Sequence, residues 1–170
     1  MKWVSWAVFF VLLAMTLSQL QRGGPQLDQP APEIQAPLLT GGQFVLDQHK
    51  GKIIVMDFWA TWCPPCRATL PALNQIYQEY KDDSQVEILT VNSERMRTKR
   101  LKKFLKEQGW TFPVIRDRTQ NIKFMYNIQA LPTLVIIDQK GKVVHSKVGA
   151  SSSHVPTLVA QLKQLIESLR

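Results

Sequence analysis

Asp57-Phe58-Trp59-Ala60-Thr61-Trp62-Cys63-Pro64-Pro65-Cys66 holds both cysteines of this chain, two residues apart. The residues leading into it, Ile53 to Trp59, form an apolar run with the β-branched content of a buried strand. From Cys63 to about Tyr80 the pattern is helical. A strand ending in Cys-x-x-Cys at a helix start sets the first sulfur over backbone N–H groups that lack helical partners, at the positive end of the helix dipole. That setting favours thiolate over thiol, and thiolate is the species that attacks disulfides. With no third cysteine, the two sulfurs are committed to each other.

The roles within the pair follow from position. Cys63, nearer the helix start and more exposed, is expected to be the nucleophile; Cys66, one turn inside, is the resolving thiol. Arg67 lies four residues after Cys63, where its charge can help hold the thiolate. Pro64 suits a first helical turn, where a missing N–H costs nothing, and Pro65 stiffens the same turn. No histidine stands between the cysteines to favour a strongly oxidising couple, so a reducing or intermediate potential is expected. Asp57 is a carboxylate inside an apolar strand. Burial should raise its pKa, which suits proton transfer to and from Cys66, unless the side chain faces out and caps a local group. Zinc would need His49, His145 or His154 to complete a ligand set, and none has ligand-like spacing, so no metal is expected. A purely structural role is also weak, because closing so short a loop stabilises by only about 2 kcal/mol.

Outward from this centre, strands and helices alternate. Val86 to Val91 reads as a strand and Thr98 to Gln108 as a basic helix. A short strand at Val114-Ile115 and a short helix near Ile122 to Tyr126 follow. Thr133 to Asp138 is a strand that turns at Gln139-Lys140-Gly141 into Val143 to Val148. The last helix places Val155, Leu158, Val159, Leu162, Leu165, Ile166 and Leu169 on one stripe of period 3.6. The whole predicts an α/β domain with a mixed central sheet flanked by helices. By local chemistry alone, Pro132 in Leu131-Pro132-Thr133 is a strand-boundary residue. Before the core, Leu38 to Leu46 reads as a hairpin turning at Gly41-Gly42.

The N-terminus has its own character. Trp3 to Gln21 carries no charge and, read to Leu20, is long enough to cross a bilayer as a helix. Lys2 supplies a positive cytoplasmic flank, which puts the remaining chain on the extracytoplasmic side. A signal anchor over residues 1–21 is expected; the competing reading is a cleaved signal peptide, with Thr16-Leu17-Ser18 as its cleavage site. In both readings the domain reaches a compartment where disulfides persist: the cell membrane as a single-pass protein, or a secreted or periplasmic form after cleavage. Residues 22–37, with Gly23, Gly24, Pro25, Pro30, Pro32 and Pro37, read as an extended tether, and residues 38–170 as the folded domain. The 170 residues accommodate one domain plus these appendages. The net charge of +8 owes much to Arg95, Arg97, Lys99, Arg100, Lys102, Lys103 and Lys106. An exported domain without a groove-reading motif is not expected to bind nucleic acid. The basic helix reads as a solvated face, with anionic headgroups or an acidic partner as the alternative.

Asp57 through Cys66, together with the later Leu131-Pro132-Thr133, resembles the thioredoxin superfamily, and more narrowly its membrane-anchored TlpA/ResA-like thiol-disulfide oxidoreductases. The resemblance runs from about Ala31-Pro32-Glu33, through Gly51-Lys52 and the cysteine motif, to the last helix. It implies a thioredoxin fold with Pro132 cis and packed against the Cys63–Cys66 disulfide. It implies that the backbone of Leu131 pairs with a substrate chain as an added strand, and that Trp62, Pro64 and Pro65 face the substrate, with Trp62 covering the site. It implies, too, no cofactor beyond the redox-active disulfide. The expected partners are exported proteins with disulfides, apocytochrome c among them, and a membrane thiol-disulfide electron donor. Two positions depart from that pattern. Thr69 stands where many of these proteins carry glutamate, and Asp57 where many carry asparagine. Alternatives of the same fold are a thiol oxidase or isomerase, a peroxiredoxin-like thiol peroxidase, and a client-binding module without exchange chemistry. Against the peroxidase, Ala60 occupies the position three before Cys63 where a threonine is usual.

Overall fold

The computed structural model describes residues 24–149 and 154–170. The expected membrane segment lies outside these residues; among the described residues no helix is long and apolar enough to cross a membrane.

The central element is strand β3 (Ile53–Trp59), in which every residue is buried. It pairs in parallel with β4 (Val86–Asn92) on one side and antiparallel with β6 (Thr133–Ile137) on the other. β5 (Val114–Arg116) extends the sheet beyond β4 and β7 (Val143–Val148) extends it beyond β6, giving the order β5-β4-β3-β6-β7. This is the mixed sheet the strand–helix alternation predicts.

Alternation along β3 divides the core, because successive side chains leave a strand on opposite faces. Ile53, Val55 and Trp59 join one apolar cluster with α1 (Pro64–Tyr80), α2 (Thr98–Gln108) and α4 (Val155–Glu167). Ile54, Met56 and Phe58 join another with α3 (Asn121–Met125) and with Ala31 and Ile34 from the N-terminal segment. α1 and α4 pack along one another, and Val159, Leu162 and Ile166 of the predicted stripe are buried there. Trp59, Phe104, Trp110 and Phe112 form an aromatic group with centroids 5.9–6.4 Å apart, which seats α2 against the end of β3.

The N-terminal region departs from the expected tether. β1 (Gln35–Pro37) pairs antiparallel with β2 (Gln43–Val45), so the hairpin starts within the stretch read as linker. Its turn passes through Gly41 and Gly42 at φ +109° and +78°, which glycine adopts without the Cβ penalty. Upstream, the Gly24 N–H donates to the Asn127 carbonyl at 2.8 Å and the Asp28 N–H to that of Val143 at 2.8 Å. Ala31 and Ile34 are buried, and the Tyr126 hydroxyl donates to the Pro32 carbonyl at 2.7 Å. Gly24 sits at φ +117°, a backbone conformation that favours glycine, beside the Ser146 side chain. The prolines fit an extended path, but one laid on the domain. Over residues 24–37 the chain is part of the fold, because Ala31, Ile34 and Ala36 are buried in the second apolar cluster.

Candidate active site

The site begins where β3 ends. Cys63 is the N-cap of α1 with extended backbone, and Pro64 and Pro65 occupy the first two helical positions. Two of the N–H groups that a helix start leaves unpaired are thereby absent. The Cys66 N–H is present and donates to Cys63 Sγ at 3.2 Å. The Arg67 N–H donates to the Cys63 carbonyl at 3.2 Å. The sulfur of Cys63 therefore takes the place a serine or aspartate oxygen takes in an ordinary N-cap. Cys63 and Cys66 are joined in a disulfide with their Cα atoms 5.3 Å apart. Cys63 is 3% exposed and Cys66 0%. Trp62, beside them, is 66% exposed, and Pro64, Pro65 and Arg67 are also exposed. Among the described residues the Arg67 side chain makes no ion pair, so any help to the thiolate comes through space.

Toward β6 lies Asp57, on the same face of β3 as Val55 and Trp59. Burial pushes its carboxyl well above the ordinary value of 3.8. Its Oδ2 is buried with no hydrogen-bond partner. The alternative of an outward-facing carboxylate is thus not what is found. Asp57 opens instead onto a small cavity of about 50 Å³, lined also by Thr69, Leu73, Pro132, Leu134 and Lys147. The Thr69 hydroxyl donates to the Cys66 carbonyl at 3.1 Å. The Leu131–Pro132 peptide is cis. The Pro132 carbonyl accepts from the Gly149 N–H at 2.8 Å and the Thr133 hydroxyl donates to the Ala130 carbonyl at 2.8 Å. Leu131 takes part in none of the hydrogen bonds among the described residues, which leaves its N–H and C=O available to another chain.

Toward β4 lies a group that reading the sequence missed. Glu94, just past the end of β4, is buried and accepts from the Thr61 N–H at 3.0 Å, the Thr61 hydroxyl at 3.1 Å and the Asn92 amide at 2.9 Å. The side-chain Oδ1 of Asn92 in turn accepts from the Arg116 guanidinium, which also donates to the Met96 carbonyl at 2.6 Å. Behind this, Asp117 accepts from the Ser93 hydroxyl at 3.2 Å and from the N–H groups of Ile122 and Lys123. The network fixes Thr61, two residues before Cys63, and with it the loop that delivers the sulfur. Its only trace in the sequence is a run of polar residues, Asn92-Ser93-Glu94, directly after an apolar strand. Among the described residues no three histidine, cysteine or acidic side chains gather as a metal site would require.

Comparison with known proteins agrees with this geometry. The sequence pattern of the AhpC/TSA family matches residues 27–146. The thioredoxin-like protein YneN of Bacillus subtilis is 32% identical over 87% of this chain and 90% of its own length. The thiol-disulfide oxidoreductase ResA of Bacillus anthracis is 36% identical over 73% of this chain and 70% of its own. Among solved structures, the Chlorobium tepidum protein described as thiol:disulfide interchange protein DsbE superposes with a TM-score of 0.71 at 30% identity, covering 88% of this chain and 99% of that one. StoA from Bacillus subtilis gives 0.66 at 26% identity, over 79% and 96%. The mixed sheet with its flanking helices is the thioredoxin fold, carrying an N-terminal hairpin.

Proposed function

This chain belongs to the AhpC/TSA family and is a thiol-disulfide oxidoreductase of the ResA/DsbE type, and we propose that it works outside the cytoplasm, held at the membrane by residues 1–21, to reduce disulfides in exported proteins. The observation that carries this reading is the N-cap sulfur of Cys63, which accepts the Cys66 N–H at a helix start. In the reduced protein that N–H and the helix dipole stabilise a Cys63 thiolate.

The thiolate attacks one sulfur of a client disulfide; a mixed disulfide forms and the client's other sulfur leaves as thiolate. Cys66, deprotonated, then attacks Cys63 Sγ, the client's second thiolate departs, and the Cys63–Cys66 disulfide closes. The client gains two electrons and this protein loses them. Asp57, whose carboxyl burial pushes upward from the ordinary carboxylate range, is the group that exchanges a proton with Cys66 during the second step. Client backbone pairs with the free N–H and C=O of Leu131 beside Pro132, while Trp62, Pro64 and Pro65 present the surface around the sulfurs. A membrane thiol-disulfide protein returns the electrons. Prolines rather than histidine between the cysteines favour a couple nearer about −270 mV than about −120 mV, that is, an electron donor. Apocytochrome c is a client that the family resemblance suggests.

Trapping tests the scheme. Cys66→Ser in the full chain should accumulate clients as mixed disulfides on Cys63, and Cys63→Ser should accumulate few. Equal trapping by both variants contradicts the assignment of roles. Capture of apocytochrome c selects the maturation role, and capture of varied secreted proteins selects a general reductase. The family name favours one second reading, a thiol peroxidase. It predicts stoichiometric consumption of hydrogen peroxide by the reduced protein, which the Ala60 position argues against.

A further inference from the structure

Building on the oxidoreductase reading, we propose that the depression between the Thr61 loop and α2 is a docking groove for an acidic stretch of the client polypeptide. Two adjoining open hollows of about 550 and about 700 Å³ run along α2 and share Met96, Arg100 and Lys103. Thr61 walls one of them, so the groove reaches to within two residues of Cys63 in the chain. It lies on the β4 side of β3, opposite the Leu131–Pro132 edge on the β6 side.

The groove is cationic by construction. Arg97, Arg100, Lys103 and Phe104 follow helical spacing, which puts them on one face of α2, and Lys99 joins the rim. Arg97, Lys99 and Arg100 are exposed and form no ion pair among the described residues. Glu107 also lines the groove and meets Lys103 at 3.7 Å, but both side chains are largely exposed, so water screens the contact and Arg97, Lys99 and Arg100 leave the groove net positive. The carboxylate of Glu94 also borders the groove, but its oxygens already accept from Thr61 and Asn92. Partly buried Met96 and Phe104 provide apolar floor. Cations around an apolar concavity suit a peptide with aspartate or glutamate flanking an apolar residue. Exposed cations alone would also suit a bilayer surface; the hollow between them with Met96 and Phe104 in its lining favours a peptide, whose apolar side chain can fill it. Such a groove raises the rate of encounter with acidic segments, and salt weakens it.

The test compares two peptides with the same intramolecular disulfide, one with glutamates and the other with glutamines beside its cysteine. Each exchange rate with the reduced full chain is divided by the rate of the same peptide with dithiothreitol, which removes intrinsic differences in disulfide reactivity. The acidic peptide is expected to react about tenfold faster at low ionic strength. That ratio should fall toward one at about 1 M salt, where the Debye length is about 3 Å. An Arg100→Glu, Lys103→Glu double variant should also bring the ratio to one or below. Equal rates for wild type, or a preference that survives the charge reversal, overturn the groove. So does sedimentation with phosphatidylglycerol vesicles that the double variant loses while the peptide preference stays, since the stripe would then serve lipid. Exchange with neither peptide would instead remove the oxidoreductase reading, and the groove with it.

Discussion

Asp57 and Glu94 are both carboxylates, each 7% exposed, toward the same end of the sheet on opposite sides of the β3 terminus. Glu94 accepts three hydrogen bonds, whereas Oδ2 of Asp57 accepts none. A buried polar group without a partner is costly, and a satisfied one is rigid. The β4 side of the site is accordingly built to hold the Thr61 loop still. The β6 side keeps a group that can take and release a proton beside a small cavity. In the proposed mechanism, placement of the sulfur and handling of the proton fall to two separate residues of the same chemical type.

The largest effect expected from this division is on stability. Glu94→Ala leaves the Thr61 N–H and hydroxyl and the Asn92 amide unpaired and removes a charge that favours protonated Arg116. A loss of about 3–5 kcal/mol in urea unfolding is expected. A loss under about 1 kcal/mol would mean water replaces the carboxylate, and the rigid side of the comparison fails.

Asp57→Asn should do the reverse, sparing the fold and harming the chemistry. Resolution of a preformed mixed disulfide on Cys63 should slow on the order of 100-fold, with its formation little changed. Rapid mixing of the reduced variant with a disulfide peptide separates the two phases, and unaltered resolution would remove Asp57 from the mechanism.

The pH dependence of stability sharpens the same point. Burial raises the folded pKa of Asp57 above its unfolded value, so the folded state keeps a proton that the unfolded chain has lost. The contribution is fully present below the unfolded pKa, near 4, and declines as pH rises until Asp57 ionises in the fold. Measured on the oxidised forms, wild-type stability relative to Asp57→Asn should fall by about 1.4 kcal/mol per pH unit across that window. A flat difference between pH 4 and 8 would show that Asp57 finds a partner in solution. The smallest effect is for Thr61→Val, which removes one hydroxyl bond to Glu94 and should cost about 1 kcal/mol. That cost should vanish in a Glu94→Ala background, as a double-mutant cycle reads directly.

These two carboxylates were not equally legible in the sequence. Asp57 announces itself because it interrupts an apolar strand, and local pattern is enough to see it. Glu94 does not, because its partner Thr61 is 33 residues away and only the parallel pairing of β3 with β4 brings them together. The cysteine motif, the α1 boundary and the α4 stripe were readable for the same local reason, through periodicity and capping. Over 24–37 the prolines dominate the composition and suggest a tether, while the few apolar residues that dock the segment, Ala31 and Ile34, form no period that would reveal it. Pro132 was unremarkable by local chemistry and acquired a role only through the family resemblance.

If residues 1–21 anchor the chain as proposed, the docking of Gly24 sets how far the domain can stand from the membrane. A free tether over residues 22–37 would give the domain roughly 55 Å of reach from an anchor ending at Gln21. With Gly24 held against Asn127, the domain begins at least as early as Gly24, and a proposed anchor over residues 1–21 would leave only two residues of sequence as linker. An anchored domain would then work close to the bilayer surface, meeting clients there instead of searching outward for them.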